Sequence, residues 1–230
     1  MPVAVITGAS RGLGRALATE LATRGWWLVV DARDRTALEE AAAGLPGGPH
    51  RAVPGDVTDA THRTALAVAA GELGGVDLLV NNASSLGASP LPSFADLDPA
   101  TYAEVLAANV VAPMALAREL LPSLRERGGR VISISSDAAV EPYETWGAYG
   151  SSKAALDHAT KILAAEEPTL RVYAVDPGDM RTRMQQDAFP DEDISDRPAP
   201  ETVVPALLRL VSGDLPSGRY RASDLVAVSA

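Results

Sequence analysis

Apolar residues fall in two rhythms along this chain of 230 residues. Short aliphatic and β-branched runs at 3–6, 28–30, 76–80, 130–134 and 170–175 have the length and unbroken hydrophobicity of strands buried on both faces. Between them, Ala- and Leu-rich segments at 12–24, 58–73, 101–127 and 147–167 place apolar residues at helical spacing. This alternation predicts an α/β fold: a doubly wound, mostly parallel sheet of the Rossmann kind, with helices on both faces and right-handed crossovers. Two stretches break the rhythm and read as loops. One is 84–99, rich in Ser, Pro and Leu; the other is 184–200, which carries Asp187, Asp191, Glu192, Asp193 and Asp196. In an open α/β sheet ligands bind beyond the carboxyl ends of the strands, so long loops there fit binding loops or lids better than linkers. With no internal repeat, residues 1–230 are expected to form one domain with a substrate loop near 183–199.

Composition narrows the partners. A net charge of -10 argues against a nucleic-acid backbone or an anionic membrane surface. With no cysteine, neither a disulfide framework nor a thiolate metal site is possible, and no metal is expected. The N-terminus, MPVAVITGAS, enters a strand at once without the pattern of a signal peptide. No apolar stretch reads as long and uncharged enough to span a bilayer, and a cytoplasmic location is the expectation.

Directly after the first strand comes TGASRGLG, Thr7 to Gly14, with a helix beginning near Gly12. Gly8, Gly12 and Gly14 permit a tight turn and close approach of a ligand, and the helix N-terminus offers free N–H groups to an anion. A pyrophosphate fits such a site; glycines that merely pack a helix on a strand are the competing reading. The end of the second strand, LVVDARD, carries Asp31, Ala32 and Arg33. An acid there suits the ribose 2′-OH of NAD, and an arginine the 2′-phosphate of NADP. Further on, Tyr149 and Lys153 stand four residues apart, which on a helix puts both on one face. A free phenol, with a pKa of about 10, is a poor base at neutral pH, and a nearby ammonium is expected to depress it. Tyr149 would then donate a proton to a carbonyl or accept one from an alcohol.

The TGxxxGxG spacing, the NNA of Asn81, Asn82 and Ala83, and the Tyr-xxx-Lys pair together resemble the short-chain dehydrogenase/reductase family from Val3 to about Val211. The resemblance implies that Thr7, Gly8, Ser10, Arg11, Gly12, Leu13 and Gly14 cradle a dinucleotide, with Asn82 and Ala83 beside it. It implies that Asp56 and Val57, in GDVTD, hold the adenine; a plain helix N-cap by Asp56 or Thr58 competes. The family's NAD-type acid falls on Ala32, whereas Arg33 occupies the next position with Arg11 as second cation, so NADP(H) is favoured over NAD(H). Asp31 complicates this, although successive strand side chains point to opposite faces. By the same resemblance Ser136 polarises the substrate oxygen, with Ser135 as the plausible mistake. The resemblance also makes Asn109 the fourth active-site residue, expected to hold a relay water; a buried helix residue bonded to backbone is the competing reading. Pro177 and Gly178 shape a turn, and the resemblance implies that the Met180 backbone and the Thr182 hydroxyl hold the nicotinamide carboxamide; an ordinary strand-ending turn competes. Tyr149 and Lys153 also face the cofactor. Two departures stand out: Ser84 replaces the glycine that follows NNA, and the tail, SGRYRASDLVAVSA, lacks the strand ending in a paired glycine.

The expected function is an NADP(H)-dependent oxidoreductase acting on a small carbonyl or secondary alcohol. A lyase or isomerase on the same scaffold, and a cofactor-binding regulator without turnover, are the alternatives. Substrate contacts are expected from 84–91, 137–146 and 183–198, with Tyr143 and Trp146 as pocket walls. The Ala-rich helices are expected to pair in a homodimer or homotetramer.

Overall fold

The computed structural model describes residues 1–226. Seven parallel strands form one sheet: β1 (Val3–Ile6), β2 (Trp27–Ala32), β3 (Arg51–Pro54), β4 (Leu78–Asn81), β5 (Arg130–Ile134), β6 (Arg171–Asp176) and β7 (Gly218–Arg221). Their order is β3-β2-β1-β4-β5-β6-β7. The chain winds outward from β1 to β3, then returns to lay β4 on the other side of β1, so a crevice opens between the carboxyl ends of β1 and β4.

Alternation along each strand divides the apolar residues between two cores. Ala4, Ile6, Leu28, Val30, Leu78, Val80, Ile132, Tyr173 and Val175 face α1 (Gly12–Thr23) and α8 (Val204–Ser212). Val3, Val5, Val29, Leu79, Val131 and Val172 face α3 (Ala60–Glu72) and α5 (Ala112–Arg127). The remaining helices are α2 (Arg35–Ala43), α4 (Pro99–Leu106), α6 (Gly147–Glu166), α7 (Arg183–Ala188) and α9 (Ala222–Val226).

Five expectations need correction. The segment 184–200 is not all loop: α7 opens it, started by the Thr182 hydroxyl, which accepts from Gln185 N at 3.2 Å. The helix expected at 101–127 starts at Pro99 and is interrupted by a π-helical turn, Ala107–Val111. Neither Asp56 nor Thr58 caps α3; Asp59 does, accepting from Thr61 N at 2.8 Å, while Asp56 closes the preceding turn onto Thr58. The tail does form a seventh strand, paired to β6 from Tyr173↔Gly218 to Asp176↔Arg221, and only the paired glycine is missing. Finally, Pro99–Arg127 is long enough, and over its best stretch apolar enough, to cross a membrane by length and composition. Here Val105, Leu116, Leu120 and Leu124 are buried within the fold.

Candidate active site

A cleft of about 1770 Å³ runs along the carboxyl ends of the strands. At its start the backbone of the β1–α1 turn is left-handed at Gly8 (φ 68°) and Gly12 (φ 56°). Gly14 is right-handed but tightly crowded: a Cβ there would lie 2.5 Å from Asn82 Nδ2 and 2.6 Å from Gly8 O. No side chain caps α1 and its first turn holds no acid, so its amides remain available to an anion. Thr7 Oγ1 accepts from the N–H groups of Asn82 and Ala83, and Asn82 Nδ2 donates to Thr7 O and Gly8 O. These bonds lock the turn to the end of β4. Ser10 and Leu13 are nearly buried, and both line the cleft. A cradle with free amides and no room for a Cβ fits a dinucleotide pyrophosphate.

Along the cleft, Arg11, Arg33, Asp56 and Val57 line the region expected for the adenosine. Arg11 and Arg33 are exposed; Arg11 lies 3.5 Å from Asp34, and Arg33 acts electrostatically on Asp56. Asp31 is buried and already engaged. Its Oδ1 accepts from Gly8 N at 2.7 Å and its Oδ2 lies 3.0 Å from His62 Nε2 on α3. Burial pushes the Asp31 carboxyl up, and the bonds from His62 and Gly8 oppose this. Asp31 therefore supports the glycine turn from behind instead of presenting a free acid to a ribose. His62 escaped the sequence reading; its one visible trace is Gly55, where any Cβ would fall 2.2 Å from the His62 ring.

At the centre, β5 ends at Ile134 and delivers Ser135 and Ser136. Both line the cleft, but Ser135 is buried with its N–H committed to Val175 O, whereas Ser136 is partly exposed. One face of α6 brings Tyr149 and Lys153 against it. Lys153 Nζ lies 5.4 Å from the Tyr149 ring centroid and donates to Ile134 O at 2.8 Å. Burial drives the Lys153 pKa down to about 8, partly opposed by the Asp157 carboxylate one turn later. The Tyr149 phenol is raised, contrary to the expected depression: burial dominates and the charges of Asp137 and Asp176 add to it, while hydrogen bonds with Ser136 and Ser84 act the other way. The phenol is accordingly held protonated.

Asn109 sits in the π-turn, fully buried. Its Oδ1 accepts from Ser84 Oγ and Ser85 N, and its Nδ2 donates to Ser85 O and Ser152 Oγ. All four positions of the amide are occupied, so the side chain positions the 84–85 loop, and a relay water would have to be held by other atoms. Ser84, in the place of the family's glycine, is part of this network.

Beyond β6, Pro177, Gly178, Met180 and Thr182 line the cleft. Asp176 Oδ1 accepts from Gly178 N at 3.0 Å, and the left-handed Gly178 (φ 73°) completes the turn. Arg219 on β7 was not anticipated. It donates to Ser136 O at 2.9 Å, pairs with Asp157 at 2.8 Å and lies 3.6 Å from Asp176. The edge strand thus ties the serine loop to α6 and to β6. Trp146 packs edge-on against Tyr149 at 5.5 Å, and Phe189, beyond α7, packs on Trp146 at 5.8 Å.

The family model for short chain dehydrogenase matches residues 2–193. A sepiapterin reductase from Meriones unguiculatus is 38% identical over 200 residues, covering 80% of this chain and 76% of the relative. The rhamnolipids biosynthesis 3-oxoacyl-[acyl-carrier-protein] reductase of Pseudomonas aeruginosa is 32% identical over 238 residues, covering 99% and 87%. A short chain dehydrogenase from Shigella flexneri complexed with NADP superposes with a TM-score of 0.89 at 27% identity, over 96% of this chain and 97% of that one. An alcohol dehydrogenase from Thermococcus sibiricus complexed with 5-hydroxy-NADP gives 0.86 at 26% identity, over 96% and 95%.

Proposed function

This chain belongs to the short-chain dehydrogenase family, and on that premise we propose that this oxidoreductase uses NADP(H) and reduces a small carbonyl compound or oxidises the corresponding secondary alcohol. The observation that carries the reading is the buried Tyr149 and Lys153 pair facing Ser136, in the same cleft as the uncapped glycine turn and the exposed Arg11 and Arg33.

The bound nicotinamide supplies or receives the hydride. Every other requirement falls on the chain. The glycine turn and the α1 amides would hold the pyrophosphate, and Arg11 and Arg33 would supply charge-assisted hydrogen bonds to a 2′-phosphate. Met180 and Thr182 would orient the carboxamide end. Ser136 donates to the substrate oxygen, and the protonated Tyr149 phenol gives that oxygen its proton in the reducing direction. Trp146 walls the pocket. Reductases among the relatives, and NADP-type nucleotides in similar structures, agree with this assignment.

The test is a titration of the purified protein with NADPH, NADP, NADH and NAD, followed by a carbonyl panel with the Tyr149→Phe variant as control. NADPH should bind about tenfold or more tightly than NADH, a difference of about 1.4 kcal/mol, and Arg33→Ala should erase most of it. Tyr149→Phe should retain nucleotide binding and lose about a hundredfold or more in kcat. Tighter NADH binding would overturn the cofactor assignment, and binding of no nucleotide would overturn the oxidoreductase mechanism.

A further inference from the structure

The residue after the catalytic serine is an aspartate whose hydrogen bonds conflict with the serine's task. Ser136 Oγ donates to Asp137 Oδ1 at 2.9 Å; an ionised carboxylate only accepts, so the hydroxyl proton must point to it. Ala138 N donates both to that Oδ1 and to Ser136 Oγ. On the other side, Tyr143 OH donates to Asp137 Oδ2 at 2.8 Å. A serine hydroxyl has one proton. To donate to a substrate oxygen, Ser136 must turn away from Asp137, which leaves Ala138 N as the one remaining donor, among the described residues, to a carboxylate oxygen that faces the cleft beside the reacting group. The position that the serine vacates on that oxygen is open to another donor. Among the described residues no Lys, Arg or His forms an ion pair with Asp137, so the fold supplies no cation to fill the gap. Asp137 itself lines the cleft beside Ser136 and Tyr149.

We infer that Asp137 is a specificity-determining residue: its carboxylate exchanges the Ser136 hydroxyl for an N–H or O–H donor, best an ammonium, carried by the substrate next to its carbonyl. The exchange releases the serine proton for the substrate oxygen in the same movement that binds the substrate's donor. The preferred substrates are thus amino or hydroxy carbonyl compounds with the donor a few bonds from the reacting carbon. Tyr143 holds the other carboxylate oxygen and so aims the first. The reaction is unchanged: hydride reaches the carbonyl carbon and Tyr149 protonates the oxygen. The inference therefore rests on the proposed carbonyl reduction.

The experiment compares four methyl ketones of equal chain length with NADPH. One carries an ammonium, one a hydroxyl, one a trimethylammonium, and one is the all-carbon isostere. For the wild-type protein, kcat/KM should be about tenfold or more higher for the ammonium ketone than for the isostere, because a site built around a hydrogen bond rejects the analogue that lacks it. The hydroxyl ketone should fall between them. The trimethylammonium ketone, which has charge but no donor, should stay near the isostere. In Asp137→Asn the ratio of ammonium ketone to isostere should collapse towards unity, whereas Tyr143→Phe should keep a clear preference. Equal turnover of ammonium ketone and isostere by the wild type would overturn the inference whether or not the variants fold, and so would a trimethylammonium ketone as good as the ammonium one. If no ketone of the series or of the wider panel is reduced, it is the carbonyl reductase reading that fails, and the two failures are distinct.

Discussion

At the scale of single residues, burial has opposite consequences for the two groups on the active face of α6. Removing Tyr149 from water disfavours phenolate, and removing Lys153 from water disfavours ammonium. The first keeps the acid for carbonyl reduction loaded over the whole physiological range. The second makes the lysine titrate near pH 8, well below the ordinary 10.5. Lys153 carries its charge below about 8 and loses it above. We therefore expect kcat/KM for reduction to be level on the neutral side and to fall as pH rises through about 8. In Lys153→Arg, whose guanidinium stays charged, that limb should vanish even if the rate is lower throughout. A pH profile of both proteins checks this, and an identical limb in the arginine variant would assign it to another group. Linkage gives an independent sign: the unfolded lysine binds a proton up to about 10.5 and the folded one only to about 8, so this group makes stability rise with pH between those values. The four-residue spacing of Tyr149 and Lys153 was legible in the sequence. Their environment was not, since the depression expected from an adjacent cation ignored how completely α6 and the 84–85 loop exclude water. His62 and Arg219 were missed for a related reason: each acts through partners far away in the chain, His62 on Asp31 and Arg219 on Ser136, Asp157 and Asp176, and such contacts leave no spacing to read.

At the scale of elements, the β1–α1 turn was legible almost in full, because three glycines so close together between a strand and a helix mark a backbone that must bend sharply and pack tightly. The structure adds why Gly14 has no alternative. Its missing side chain is the space in which the Asn82 amide reaches Thr7 O and Gly8 O, at 2.8 and 3.1 Å. Gly14→Ala would set a methyl 2.5 Å from Asn82 Nδ2 and 2.6 Å from a main-chain oxygen. The amide must swing away or the turn must shift, and overpacking of this kind costs about 1–3 kcal/mol. The variant should melt at a lower temperature and bind NADPH at least several-fold more weakly, by thermal denaturation and fluorescence titration respectively. Wild-type affinity together with a wild-type melting temperature would show that the turn adapts. Other elements were less legible. Helix α7 is six residues long, too short for periodicity to separate it from the acidic loop that follows. The π-turn arises inside a largely apolar helical pattern, and what marks it is Asn109, a polar residue that spends three of its four hydrogen bonds on a loop some 24 residues upstream and the fourth on Ser152 of α6.

At the scale of the molecule, strand alternation explains both cores, but it leaves the outward side of the central helices unaccounted for. The helical segment Pro99–Arg127 contains a long apolar stretch, yet only 33% of that stretch is buried. Val111 on its π-turn is 61% exposed, and Ile162 on the neighbouring α6 is 46% exposed. Isolated exposed aliphatics are ordinary. Two on adjacent helices, in segments rich in small residues that let helices approach closely, fit a surface that pairs with its own copy about a two-fold axis. The same helices carry Asn109, Tyr149 and Lys153, so covering their outer side would stiffen the catalytic face from behind without contributing to the cleft. We expect the protein to run at twice its 23.9 kDa chain mass or a higher even multiple in light scattering at micromolar concentration. Val111→Arg should shift it towards the monomer and lower its melting temperature, since a subunit interface stabilises the folded state by mass action. A wild-type monomer would remove this surface from the assembly, and an arginine variant that remains a dimer would place the interface on a different face.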